Sequence, residues 1–576
     1  MAKKNRSEPH KPTLPTRRDL AQARRQIVRL DGHQALARIL EAPLPATLVQ
    51  SFDAVDLHLL IHEIGPADAL PVLALASEHQ IQYLLDVESW SRDRLDNPAL
   101  TRWLSLLLQA DPARMIAYLA RCQTGLLRHW LWCNLQIRVR EHDQEPSEFG
   151  EDWFSLDNVF FMRIAADPAL GTADGEAVAD REKFIQECIE RLADHDYAYF
   201  RDLLIDSTGL IPAEHEEEAL RLRRIRLAEK GFLPFEEAIG VYQPLSPERF
   251  RALGPKHFEW RDEDGRPLPV PCHAAGARPQ GGVFAQALAR AAAAGEDLAR
   301  AEAEFAGLCN QIAAADQQTV RQREALAALA RKAAGYLDIA LEVLAQKAGR
   351  VDLNAAAALI RRHALGDIFR VGYGQALTLK WEADAWQRRS WYRGQGLTLT
   401  FWDEAGLGVL GGLLIKRPLF FDNFATGVLY REFATLDDVR RTRRTLECII
   451  ALDELLARFA FSGRPLAGLG GLTWKNLLLT AWACEQEGIA SDAPAIALTA
   501  LRAFMAGLWT TRGRIRTARR RDFLDWLARR SDQPAEAVSA ALAAVLEDLF
   551  RELEAEYGRV DIHRLDRRLI RLFRVV

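Results

Sequence analysis

The segments LPATLVQSF (Leu44–Phe52), AVDLHLLIHEI (Ala54–Ile64), ADALPVLALA (Ala67–Ala76) and HQIQYLLDVESW (His79–Trp90) decide the fold class. In each, apolar residues recur at three- and four-residue spacing, the period of a helix with one buried stripe. Gly65-Pro66, Ser77 and Asn97-Pro98 break the pattern between helices. Ser77 with Gln80, and Thr16 with Asp19, have the spacing of a capping box. Asn97-Pro98 and Asp111-Pro112 place a cap residue before a proline at the first helical position. Short helices in series predict a mostly α fold, an irregular array that approaches a solenoid.

Working outward, residues 1–15 are polar and basic with three prolines, and read as a disordered tail. The short-helix array covers 16–150 and a helical middle domain 151–250. In the latter, EEEALRLRRIRLAEKGF places acids first and bases last, as a helix dipole favours, with Gly231 as its C-cap. Residues 251–282 hold five prolines and five glycines and read as a linker or long loop. Residues 283–348 are alanine-rich and suit an antiparallel, solvated helical hairpin. A mainly helical region, 349–576, closes the chain. Within it, LTLTFW alternates, DEAGLG turns and VLGGLLIKRPLFF returns, which predicts one small β-hairpin at 396–421.

The whole chain has 576 residues, enough for about three or four cores. Its charge, 75 − 79 = −4, excludes a protein basic or acidic throughout and leaves room for local basic patches. Seven scattered cysteines without a C-x-x-C pair point to reduced thiols in a cytoplasmic protein. A charge-free run such as Ala405–Ile415 is far short of the ~20 apolar residues of a membrane span.

Three stretches carry a resemblance. They are EHQIQYLLDVESWSRDRLD (Glu78–Asp96), RLAEKGFLPFEEAIGVYQPL (Arg226–Leu245), and the series ALTLKWEADAW (Ala376–Trp386), FW (Phe401–Trp402), KRPLFF (Lys416–Phe421) and YREF (Tyr430–Phe433). Together they resemble a bacterial family known as domain of unknown function 6178, and the resemblance implies no chemistry. The short-helix series at 35–120 is also loosely similar to the cytosolic superhelical N-domain of magnesium transporters.

Most candidate motifs fail a context check. GLGVLG (Gly406, Gly408, Gly411) matches a dinucleotide-loop pattern but is followed by a strand-like run, so it reads as a hairpin turn. Gly468, Gly470 and Gly471 read as a turn before a helix. His62-Glu63 lacks the second histidine of H-E-x-x-H. Asp194-His195-Asp196 and His215–Glu218 point to different helix faces. Asp86 and Asp93, seven apart beside Trp90, read as ion-pair partners of Arg92 and Arg94. No metal-ligand set and no cofactor follow from the sequence.

Two constellations remain. Trp381, Arg388, Arg389, Trp391, Trp402, Lys416, Arg417 and Arg431 combine cations with aromatic rings; if they converged, they would suit an anionic or planar ligand. Arg512, Arg516, Arg519 and Arg520 lie in TRGRIRTARRRDFLDWLARRS, which has eight arginines against two aspartates and suits phosphate contact. The leading expectation is a non-enzymatic helical scaffold that binds another protein. An enzyme or sensor using the first constellation, and local nucleic-acid contact through the second, stand beside it.

Overall fold

Side-chain caps start most of the early helices. The computed structural model describes residues 16–166, 175–208, 212–255, 271–295, 298–459, 461, 466–490 and 495–576, so the tail expected at 1–15 lies outside the described residues. The series opens with α1 (Arg17–Ile27), α2 (Gly32–Leu40), α3 (Pro45–Gln50), α4 (Ala54–Ile64), α5 (Leu70–Leu75), α6 (Glu78–Glu88), α7 (Asn97–Ala110), α8 (Pro112–Cys122) and α9 (Thr124–Asn134). Thr16, Asp31, Asp53, Ser77, Asp96 and Asp111 each accept an otherwise unpaired first-turn N–H. At α7 the cap falls one residue before the expected Asn97, because the Asp96 carboxylate reaches the Ala99 N–H at 3.0 Å.

Contacts divide the chain into two units. The first comprises Met1–Gln243, Ala252–Ala334 and Gly349–Phe369; the second comprises Pro244–Arg251, Gly335–Ala348 and Arg370–Val576. In the first unit, α1–α9 are followed by an antiparallel sheet in which Phe160–Ile164 pairs with both Leu135–Val139 and Phe154–Ser155. Among the described residues, this three-stranded sheet and three two-stranded ribbons are the β elements. Next come α10 (Gly175–His195), α11 (Tyr197–Thr208) and α12 (Pro212–Ala228). Ile39, Leu60, Val72, Leu100, Trp130, Ile189 and Leu204 are fully buried in one core. Each such side chain contributes about 1.5–3 kcal/mol. Most of α4 lies inside, and its buried residues include Asp56 and His58.

Two expectations for the middle of the chain change. Part of the 251–282 linker, 256–270, lies outside the described residues, but its end forms the helix Cys272–Ala277, with His273 buried. The alanine-rich 283–348 region is not a solvated hairpin. It forms three helices, Val283–Ala293, Ala299–Ala315 and Arg323–Leu344, and Val283–Ala293 packs on Leu353–Arg362. Ala287, Ala303, Ala306, Ala313, Ala330 and Ala333 are buried: the small side chains serve close helix contacts rather than solvation.

In the second unit the expected hairpin at 396–421 is absent. Leu399–Trp402 forms a 3-10 turn, Asp403–Leu413 is an α-helix, and a short ribbon pairs Phe420–Phe421 with Tyr430–Arg431. Packing overrides the low helix propensity of glycine here. A Cβ on Gly408 would lie 2.4 Å from the Phe421 ring, one on Gly411 2.6 Å from the Tyr430 hydroxyl, and one on Gly412 2.4 Å from the Leu419 carbonyl. The glycines are the seat of the ribbon and neither a dinucleotide loop nor a turn.

Backbones meet most closely at Gly372, where a Cβ would lie 1.9 Å from the Tyr336 carbonyl oxygen. Gly372→Ala is expected to cost about 3 kcal/mol, read as a lowered urea midpoint by tryptophan fluorescence. Gly468→Ala, with nothing within 4 Å of its added carbon, leaves the midpoint in place.

Candidate functional site

Helix α4 carries four polar groups among its apolar ones: Asp56, His58, His62 and Glu63. At 3.6 residues per turn, His58 and His62 share one face, while Asp56 and Glu63 share another, roughly 100–160° away. Each face of this core helix meets a partner group.

On the first face both histidines meet Glu88 at the end of α6. His58 Nε2 lies 2.8 Å and His62 Nε2 3.0 Å from Glu88 Oε1. Arg321 Nε donates to the same oxygen at 3.0 Å, and Trp103 Nε1 from α7 donates to Oε2 at 3.2 Å. Burial would raise the pKa of Glu88, but hydrogen bonds from His58, His62 and Arg321 outweigh it and hold the carboxyl well below its usual range. Burial depresses His58, with the bond to Glu88 opposing. An ionised carboxylate only accepts, so both Nε2 atoms carry their proton. The two imidazoles meet edge to face at 4.7 Å, and Trp103 packs on His62. Among the described residues, His58, His62 and Glu88 are a metal-type ligand set, with ligand atoms all within 4.8 Å of one another.

On the second face Asp56 accepts from the Cys272 and His273 backbone N–H groups and from His273 Nδ1 at 3.0 Å. It thereby anchors the start of Cys272–Ala277. His273 Nε2 makes no hydrogen bond and points toward Glu63 Oε1 at 3.9 Å. Glu63 also pairs with Arg323, whose guanidinium reaches the Leu30 carbonyl at 2.8 Å. Burial alone would lower the pKa of His273, but the hydrogen bond to Asp56 and the negative charges of Asp56 and Glu63 lift it to about 9.

The sequence reading missed this site. His62 was tested against a histidine after it, whereas its partner His58 lies four residues before it, on the same face. Nothing local to Glu88 ties it to α4. The neighbouring acids are ion-paired, though not to Arg92 and Arg94: Arg226 grips Asp86 with two bonds of 2.7 Å, and Arg224 meets Asp93 at 3.2 Å.

The Trp/Arg/Lys constellation is divided. Trp402 is buried with Trp386 and Tyr392, and Trp391 packs on Phe401 and Phe461. Asp453 fixes this group by accepting from Trp386 Nε1 and from the Trp391 and Tyr392 N–H groups. Arg431 is bound to Asp438 and Asp422 and lies over the Phe420 ring. Trp381, Arg388, Arg389 and Lys416 are exposed and Arg417 is half-buried. The rings therefore build the core, while most of the cations face solvent.

In the arginine-rich region, Arg520 pairs with Glu547 and Glu554, Arg519 donates to Gly507 and Gln486, and Arg516 donates to the Trp509 carbonyl. Arg512 is exposed. Much of the charge expected to meet phosphate meets carboxylates and carbonyls of the same chain.

Fold and site together define an α-helical protein of short capped helices around a buried histidine–carboxylate network. The chain belongs to a family of unknown function (DUF6178), whose model matches residues 13–576. No curated protein and no solved structure matches it, so the likeness of 35–120 to the transporter domain gains no support.

The raised His273 sets a pH dependence. An ordinary histidine titrates near 6.5, so the stabilisation is complete below that pH and is lost as pH rises toward 9. Thermal scans between pH 6.5 and 9 should lose up to roughly 3 kcal/mol of stability across this window, and His273→Gln should flatten the profile.

Proposed function

We propose that this protein is a non-enzymatic helical scaffold whose partner is another protein, and that it works in the reducing cytoplasm of a bacterial cell. One observation carries the reading. Helix α12 has apolar residues on its outward side as well as its inward side. Leu227 is buried beside Ala54 and Tyr83, whereas Leu222 is 42% and Ile225 51% exposed. A surface helix with one apolar stripe needs no such residues. Leu220, Ile225, Ala228 and Pro234 line an open cleft of about 690 Å³ whose charged members are Glu217, Glu218, Arg221, Arg224 and Glu237. An apolar floor beside charged side chains of both signs suits a protein partner that contributes an apolar anchor.

The neighbouring helices extend the theme. Helix α9 packs against α11 and α12 and exposes Trp132, while α11 exposes Ile205. All seven cysteines are free thiols, and burial raises Cys188 and Cys309 to about 12, which supports a reducing compartment. No helix among the described residues is long and apolar enough to cross a membrane.

The test compares the tagged chain with Leu222→Asp/Ile225→Asp in capture from nuclease-treated host lysate. Both sites are on the surface, so the melting temperature is expected to change little. The wild type should retain one partner near stoichiometry and the variant should lose it by tenfold or more. Equal recovery by both chains, or no partner on either, would sink the reading.

A further inference from the structure

Two histidines four residues apart on one helix, aimed at one carboxylate from a second helix, bring three metal-type ligands to a single point inside the first unit. We propose that His58, His62 and Glu88 bind one divalent first-row cation of the zinc class, with Arg321 as the counter-ion that gives way to it. This goes beyond the scaffold reading and does not depend on it.

The ligand chemistry sets the class of ion. Two imidazole nitrogens and one carboxylate oxygen suit zinc and its neighbours, whereas magnesium and calcium take oxygen sets. The distances also fit. A tetrahedral centre with bonds of about 2.0–2.1 Å separates its ligand atoms by about 3.3 Å. The two Nε2 atoms lie 2.8 and 3.0 Å from Glu88 Oε1, so those two pairs need to part by only a few tenths of an ångström, and all three ligand atoms lie within 4.8 Å of one another. Their positions are set by the helices: α4 fixes both imidazoles and α6 fixes the carboxylate. Trp103 Nε1–H holds Glu88 Oε2, which leaves Oε1 turned to the imidazoles, the kind of outer contact that orients metal ligands. A zinc ligand must present Nε2 without its proton, so in the loaded site the ring proton of each imidazole sits on Nδ1.

Arg321 is the remaining group on Oε1. It lies between the helices Ala299–Ala315 and Arg323–Leu344, and its side chain is 49% exposed. Without a cation it neutralises a carboxylate that is otherwise fully buried. A dication in the same place would repel it, and its exposed guanidinium has solvent to move into. A cavity of about 420 Å³ is lined by Leu59, Val87 and Val320, which are chain neighbours of His58, Glu88 and Arg321, together with Tyr83, Trp90 and Thr319. Cation binding is thereby coupled to the position of the 316–322 segment.

The experiment uses the untagged full chain, stripped with chelator and dialysed. Zinc affinity is measured by competition with a chromophoric chelator, and cobalt(II) is titrated to read its visible d–d bands. One zinc per chain is expected, with affinity at least tenfold weaker in His62→Gln, which alters the more exposed of the two imidazoles. Arg321→Gln, at the solvent-facing side, is expected to bind zinc about tenfold tighter. Zinc affinity and cobalt spectra that are the same in wild type and His62→Gln would overturn the site. So would an Arg321→Gln chain that melts lower without binding zinc more tightly, because that is the behaviour of a carboxylate whose only role is charge compensation.

Discussion

A carboxylate with no solvent exposure sits at the end of α6, and the first unit is arranged to keep it charged. Removing a carboxylate from water costs several kcal/mol, and only convergent donors offset that. Glu88 has four: two imidazoles from α4, an indole from α7 and the Arg321 guanidinium. Each comes from a different turn or segment, so the charge fixes how these elements meet. The same logic holds across α4, where Asp56 takes three donors from Cys272 and His273. A helix with polar groups on two faces is stable inside a core only because each of those faces has a partner.

The second unit solves its packing with shape rather than charge. Gly372 admits the Tyr336 carbonyl, and the glycines of Asp403–Leu413 admit Phe421 and Tyr430. Asp453 then ties down the aromatic cluster around Trp386 and Tyr392 through one indole and two backbone N–H groups. A carboxylate bound to neutral donors in this way orients rings without needing a counter-ion.

Legibility in the sequence followed distance along the chain. Caps at Thr16, Asp31, Ser77 and Asp111 act within three residues, and the short-helix array they start was readable as such. The 403–413 helix was not, because Gly408 and Gly411 are explained by Phe421 and Tyr430, which a linear reading cannot place against them. The arginine-rich region looked free because Glu547 and Glu554 lie 27 and 34 residues beyond Arg520. The His58–His62 pair was within reach, since four-residue spacing is a local signal. Glu88 and Arg321 were not: they lie 30 and 263 positions from His58 and meet it only in the folded unit.

The bond between Asp56 and His273 spans 217 residues. At synthesis rates of about 5–20 residues per second, roughly ten to forty seconds separate the emergence of α4 from that of its cap partner. Through that interval the nascent array holds Asp56 without its donors, in a helix rich in leucine and isoleucine, whereas the His58 partner Glu88 follows after only 30 residues. The growing chain therefore passes through a state in which Asp56, on a core helix, still lacks the donors that satisfy it in the finished molecule.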